Sequence, residues 1–427
     1  MKAVIHIGLH KTGTTTIQHF LAKNRESLQK QGVYIPSSIR ETRNKLAQHR
    51  ELNAAIIPSI SESGPLFSLT GQNAYNMILK QGFTRNDQDK IWEKYRHEIE
   101  ENCQKDDLVL FSSEYLSNAT DNEIERLKEW MSSLFEDIII VLYLRRQPEF
   151  LVSIHHSFVG SGSPWSLLDL LNRPEGRSIL AYHKIVERWS IFGKEKIKIR
   201  IFDRQKFHES DLLSDFAYTV GFEMAGLESV TDENVSTDSV ETEFLRLLNS
   251  HIPPMPDSWP HNPARGPLKK CIYSLSETNS KAYHLTCGEA QHILNICREG
   301  NDWIAREYLG REKLFSEDVS MYPEEVASPH GLTLEKCAEI TAHLWKERCQ
   351  AIRNLQQKNE KLKSQRESDA TKIKTLTAER DANIAEIQRI QTELQRLLHR
   401  RNKRLLYRFK SLLNWIKTRL KKNNDKK

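Results

Sequence analysis

The segment Val4-Ile5-His6-Ile7-Gly8-Leu9-His10-Lys11-Thr12-Gly13-Thr14-Thr15-Thr16 leaves this chain few folds to choose from. The apolar run from Ala3 to Ile7 is dense enough for a buried strand. Ile17, Phe20 and Leu21 then begin an amphipathic helix. Between the two lies a loop holding Gly8 and Gly13. Strand, glycine-bearing loop and helix together make an anion cradle. Backbone N–H groups at the helix start point at the anion, and the helix dipole favours its charge. Glycine supplies the left-handed turn and the close backbone approach.

The spacing of Gly8 and Gly13, with four residues between, is that of a nucleotide P-loop. A Walker loop places lysine directly after the second glycine, on the β/γ-phosphates, and its Ser/Thr on magnesium. Here Thr14 stands in that place and the loop's lysine is Lys11, two positions before Gly13. Three threonines, backbone amides and one cation suit an anion held without a metal. A sulfuryl group carries less charge than a terminal phosphoryl, so its transfer can dispense with magnesium.

Other stretches extend the pattern. Leu108 to Phe111 reads as a second buried strand, followed by Ser112-Ser113-Glu114. Ile138 to Leu144 is the strongest strand in the chain, β-branched and aliphatic, as expected for a central parallel strand buried on both faces. Arg145-Arg146-Gln147-Pro148 follows it, and Ser153 lies eight residues after Arg145. Ligands of open α/β sheets bind beyond the carboxyl ends of strands. Ile197 to Asp203 alternates as a further strand. The first helix is expected from about Thr14 to Lys30, and Val33 to Pro36 as a short extended piece. Trp92, Tyr95 and Ile99 read as core, and residues 251–280 as an irregular insert holding Lys269 and Lys270. The predicted fold is α/β, a P-loop NTPase-like parallel sheet flanked by helices, with a C-terminal coiled coil.

His6 to Gln18, with Phe20-Leu21 and Asn24-Arg25, closely resembles the opening of bacterial carbohydrate sulfotransferases of the P-loop superfamily. These use 3′-phosphoadenosine 5′-phosphosulfate as donor. The resemblance runs in patches to about residue 320, through Asp215-Phe216, Asn234-Val235-Ser236 and Asn301 to Tyr308. It implies that Lys11, Gly13, Thr14, Thr15 and Thr16, with His10 and Thr12 in the same loop, hold the 5′-phosphosulfate. Lys11 would also bear charge on the bridging oxygen. Arg145 and Ser153 would hold the 3′-phosphate, as an arginine fork suits a phosphate. Arg146 stands where many relatives have asparagine, which leaves either arginine as the phosphate ligand.

A transferase of this kind needs a base for the acceptor hydroxyl. Glu114 comes first, at the topological place of the family's catalytic histidine. His49 comes second, and His10 sits inside the loop and can serve instead to shape it. The acceptor class implied is a glycan or glycolipid hydroxyl, with no metal required. Two other classes compete. A P-loop kinase for a small molecule or sugar would use Asp203 as its Walker B aspartate. A non-catalytic coiled-coil scaffold would carry a decayed enzyme domain.

The chain's net charge of +6 is misleading. Residues 400–427 carry twelve Lys/Arg and one acid, or +11, which leaves −5 on the first 399. The positive balance therefore makes no case for a nucleic-acid-binding body. The six cysteines show neither CxxC nor metal-ligand spacing and read as reduced cytosolic thiols. No signal peptide or membrane span is visible. From Ile352 through Leu362, Ile373, Leu376, Ile390 and Leu397, alternating spacings of three and four make a heptad seam, broken by Asn359, Arg366, Asp369, Arg380 and Asn383. Leu405, Phe409, Leu412, Ile416 and Leu420 then form one face of a basic amphipathic helix. The expected organisation is 1–320 P-loop domain, 321–349 helical connector, 350–399 coiled coil and 400–427 basic tail. The coiled coil would self-associate. The tail would hold a cytoplasmic protein at the inner, anionic membrane face.

Overall fold

The computed structural model describes residues 1–37, 49, 52, 88–230, 239–252, 265–275, 285–325, 332–398 and 403–424. Asn234-Val235-Ser236 lies outside these residues.

In chain order the strands and helices of the first part are β1 (Lys2–His6), α1 (Thr14–Lys23), α2 (Arg25–Lys30), β2 (Val33–Tyr34), α3 (Gln88–Asn102), β3 (Leu108–Ser112), α4 (Asp121–Ser132), β4 (Asp137–Leu144) and α5 (Gln147–Ser161). There follow α6 (Leu167–Asn172), α7 (Pro174–Leu180), α8 (Tyr182–Trp189), β5 (Ile197–Ile201), α9 (Leu212–Val220), α10 (Ser239–Asn249), α11 (Arg265–Tyr273) and α12 (Cys287–Leu309). The C-terminal part is α13 (Leu334–Leu398) and α14 (Lys403–Asn424).

The five strands form one sheet in the order β2-β3-β1-β4-β5, and every pairing is parallel. Alternation along each strand feeds two cores. Ala3, Ile5, Val109, Phe111, Ile140 and Leu142 pack to one side with Trp92, Tyr95 and Ile99 of α3 and Trp189 of α8. Val4, Leu110, Val141 and Tyr143 pack to the other side with Ile17 and Phe20 of α1 and Phe216 of α9. Burial on both faces is why β4 reads as an unbroken apolar run. A third cluster, Val159, Leu245, Ile272, Leu332 and Ile340, seats α10, α11 and the start of α13 against the end of α5.

The expected single helix from Thr14 to Lys30 is in fact two. Asn24, with φ −104° and ψ 14°, separates α1 from α2. Its amide donates to the Phe20 and Glu228 carbonyls, and its Oδ1 accepts from the Glu228 N–H at 2.7 Å. The side chain ties a distant segment to the helix at that break. Nor is 251–280 wholly irregular, because α11 lies inside it.

The chain divides into two compact units, Met1–Leu344 and Trp345–Lys427. In the second, Leu355, Leu362, Ile373, Leu376, Ile390 and Leu397 lie exposed along α13, as do Phe409, Leu412, Trp415 and Ile416 along α14. Among the described residues no helix is long and apolar enough to cross a membrane.

Candidate active site

β1 is the central strand, and the sheet runs from it in opposite directions through β3 and β4. Three strand ends therefore deliver their loops to one crevice: Gly8 to Gly13 after β1, Ser113-Glu114 after β3, and Arg145-Arg146 after β4.

The first loop is a backbone cradle. Gly8, Lys11 and Gly13 have φ of +32°, +66° and +74°. A Cβ on Gly8 would come 2.5 Å from the Thr14 methyl and 3.2 Å from His6 Nε2. One on Gly13 would collide with the Leu212 side chain and crowd Phe202. Thr12 is fully buried and donates its hydroxyl to the Leu9 carbonyl at 2.7 Å, which closes the turn. Thr14 and Thr16 are buried at the start of α1, while Thr15 is exposed. His10 stands edge-on to Tyr115, with ring centroids 5.4 Å apart, so it packs the loop against the β3 side. The Lys11 side chain reaches solvent, yet surrounding protein lowers its pKa, and the like charges of Lys269 and Arg145 lower it further.

The two arginines after β4 have different lives. Arg146 is spent on structure. It donates Nε to the Ser316 carbonyl at 2.8 Å, Nη2 to the Asp318 carbonyl at 2.7 Å and Nη1 to Glu149 at 2.6 Å. The Arg145 guanidinium makes one long bond, Nη1 to the Lys11 carbonyl at 3.3 Å, and lies 5.7 Å from the Phe202 ring. Its backbone is pinned by the buried Tyr182, whose hydroxyl donates to the Arg145 carbonyl at 2.8 Å. Gln147 and Asn301 exchange amide hydrogen bonds of 2.6 and 3.0 Å, fixing the start of α5 to α12. Ser153 lies two turns along α5, half-buried. Of the two arginines, Arg145 is the less engaged among the described residues, and it lies beside the β1 loop.

On the β3 side the polar groups are linked by a run of hydrogen bonds. Gln18 of α1 donates from Nε2 to Glu114 Oε2 at 2.9 Å and to Ser112 Oγ at 3.2 Å. Ser112 Oγ is 3.0 Å from His6 Nδ1. Glu114 is 7% exposed and His6 fully buried. Burial lowers the His6 pKa to about 4, against the opposing pull of Glu114. His49 is also fully buried, and both its ring nitrogens are taken. Nδ1 accepts from the Ser112 N–H at 3.0 Å, and Nε2 bonds the Pro36 carbonyl at 3.0 Å. Its own N–H donates to the Ser112 carbonyl, so His49 braces the end of β3. With both nitrogens engaged, it is poorly placed to take a proton from a ligand, whereas Glu114 stands at the crevice.

Sequence reasoning gave no role to Gln18, Ser112 or Lys269. Lys269 of α11 lies across Gly160 of α5, its Nζ 2.7 Å from where a Cβ would stand. Its pKa is lowered by burial, and its charge reaches Lys11. Gly160 is seven residues after Ser153, the same face of the helix. Lys269, beside Lys270 in a stretch of mixed polarity, gives no sequence signal, but a small residue in phase with Ser153 is one.

The residues fit an anionic nucleotide donor on the structure's own terms. Lys11, Arg145 and Lys269 concentrate positive charge at one end of the sheet, and the two positive-φ glycines leave room where side chains would intrude. No protein-family model matches the chain. An uncharacterized protein of Archaeoglobus fulgidus is 25% identical over 245 residues, covering 54% of this chain and 62% of that one. The match thus spans less than two thirds of the archaeal relative. Two solved structures resemble the chain at low similarity. A sulfotransferase from Alicyclobacillus acidocaldarius has a TM-score of 0.37 at 18% identity, covering 54% of this chain and 85% of its own. The sulfotransferase domain of the Synechococcus PCC 7002 olefin synthase has a TM-score of 0.28 at 10% identity, covering 70% and 93%. Likenesses this distant carry no functional weight, and the residues of the site must supply it.

Proposed function

We propose that this chain is a sulfotransferase, moving a sulfuryl group from 3′-phosphoadenosine 5′-phosphosulfate to a hydroxyl of a glycan or glycolipid. The observation that carries this reading is the pairing of the lysine-before-glycine loop with an uncommitted Arg145 bonded to that loop's Lys11 carbonyl. One anion-binding group serves each end of a donor bearing two separate anionic groups. The β1 loop and Lys11 would take the 5′-phosphosulfate, and Arg145 with Ser153 the 3′-phosphate.

Glu114 accepts the proton of the acceptor hydroxyl as its oxygen attacks sulfur in line. The new O–S bond forms as the S–O bond to the 5′-phosphate breaks, and the electron pair leaves with that phosphate. Lys11 and the loop amides bear the charge developing there. The products are a sulfate ester and 3′-phosphoadenosine 5′-phosphate.

The kinase alternative needs Asp203 as a magnesium-binding aspartate. Asp203 follows β5, which pairs with β4 and not with β1, and its carboxylate caps its own loop by accepting from the Gln205 N–H at 3.0 Å. The test is thermal stability with ligand, because a ligand that binds the native state raises its melting temperature. 3′-Phosphoadenosine 5′-phosphate should raise it in EDTA. A rise with Mg-ATP alone would favour the kinase, and no rise with either would favour the scaffold. Labelled donor on a glycan array then identifies the acceptor.

The exposed apolar seam of α13 supports self-association through a coiled coil, since a lone helix leaves that seam in water. The tail carries +11 over residues 400–427 and an apolar face on α14, which supports peripheral attachment to an anionic membrane on the cytoplasmic side. Co-sedimentation with anionic liposomes, with and without residues 400–427, tests the attachment. Equal pelleting of both forms would remove it.

A further inference from the structure

We propose that Gln18 is the positioning residue of Glu114, and that through Gln18 the helix α1 sets the spacing between the base and the donor cradle. The inference rests on the sulfuryl-transfer reading for its purpose, but not for its geometry.

The hydrogen bonds place the Gln18 amide outright. Both amide protons of Gln18 are used, one on Glu114 Oε2 and one on Ser112 Oγ. Ser112 Oγ also bonds His6 Nδ1, 3.0 Å away. The reverse orientation of the Gln18 amide would set its oxygen against a carboxylate, so the network fixes it. Gln18 thus ties Glu114 to Ser112, and through Ser112 to His6. The fully buried His6 stays neutral over the physiological range, because burial holds its pKa near 4. It therefore anchors the chain without contributing a charge.

The second half follows from helix geometry. Thr14 opens α1 beside Gly13, and Gln18 lies four residues on, on the same helix face. A rise of about 6 Å along α1, four residues at about 1.5 Å each, separates the backbone of the cradle's threonine from that of the residue that holds the base. A rigid helical turn sets that distance, where a loop would let it drift. His49 serves the same end from below by bonding both backbone groups of Ser112.

The test is a pH titration of Glu114 in the full chain carrying glutamate labelled with carbon-13 at the carboxyl, the resonance being identified by its loss in Glu114→Gln. An N–H donor to a carboxylate favours its charged form, so removing the donor raises the pKa. In Gln18→Met, which keeps an unbranched side chain of similar size, the Glu114 midpoint should rise by about one pH unit. The acid limb of the transfer rate should rise with it, and kcat should fall about 10- to 100-fold, with the donor KM unchanged. Ser112→Ala, which removes only the second anchor, should give a smaller shift in the same direction. An unchanged Glu114 midpoint in a Gln18→Met protein that binds 3′-phosphoadenosine 5′-phosphate like the parent would overturn the proposal. Loss of nucleotide binding in that variant would also overturn it, by placing Gln18 in the cradle instead. Should the parent protein itself not bind the nucleotide, the sulfuryl-transfer reading fails, while the titration still decides whether Gln18 governs Glu114.

Discussion

The two sides of the crevice spend their polar groups in opposite ways. On the β3 side, Gln18, Ser112, His6 and His49 bond to one another and to backbone, and Glu114 is held among them. On the β1 and β4 side, Lys11, Arg145 and Lys269 bring like charges together, with Glu149 the carboxylate that acts on Arg145. Polar groups bonded to one another make a rigid mount for one side chain. Cations left facing a crevice make a place for an anion that the protein does not itself contain. The difference separates holding from binding, and Arg146, saturated by Glu149 and two carbonyls, falls on the holding side although it sits next to Arg145.

Lys11→Ala should break the comparison hardest. If the lysine bears leaving-group charge, turnover should fall by about 10²–10³, in the range for losing one charge-stabilising donor. Its side chain is exposed, so the melting temperature should hardly change. Turnover near the parent's would remove Lys11 from the mechanism. The arginine pair should come next. A charge-assisted bond contributes about 1.5–3 kcal/mol, so Arg145→Ala should weaken binding of 3′-phosphoadenosine 5′-phosphate about 10- to 100-fold. The preference over the nucleotide lacking the 3′-phosphate should shrink equally. Arg146→Ala should instead lower the melting temperature and keep that preference; the opposite pattern would exchange the two roles.

A third measurement sharpens the holding side. His6 is neutral in the fold down to about pH 4, whereas in the unfolded chain it protonates near 6.5. Its contribution to stability is thus present above pH 6.5 and is lost as pH falls toward 4, by about 3 kcal/mol in all. His6→Gln should flatten this part of the profile of melting temperature against pH, and an unchanged slope would mean another group is responsible. On the binding side, the lowered pKa of Lys11 means its charge is lost at lower pH than an ordinary lysine's. Nucleotide affinity should then decline on the alkaline side, and Lys11→Arg should move that decline to higher pH. The smallest effect is expected from deleting residues 345–427, a separate unit. Nucleotide affinity should be unchanged, as isothermal titration can verify.

Much of this was legible in the residues. The run from Ile138 to Leu144 gives β4, and the glycines with Lys11 give the cradle, because burial on two faces and positive φ each demand particular residue types. What was not legible depends on distant partners. Arg145 and Arg146 are adjacent and chemically identical, and among the groups that engage Arg146 are the distant carbonyls of Ser316 and Asp318. His49 looked like a base because nothing local to it reveals that the Ser112 N–H and the Pro36 carbonyl fill its ring nitrogens. Gln18 belongs to a helix whose apolar spacing says nothing of Glu114, 96 residues away. The break at Asn24 was hidden for the same reason, since its cause is the backbone of Glu228.

The loop's shape is also enforced from outside the loop. Gly13 is hemmed in by Leu212 at the start of α9 and by Phe202 just after β5, nearly 200 residues later in the chain. A side chain at position 13 would meet that wall. Phe202 also faces the Arg145 guanidinium, 5.7 Å away, so one ring shapes the loop and seats the arginine. Enlarging Leu212 would press on the loop at Gly13, whereas changing Phe202 would disturb the arginine as well.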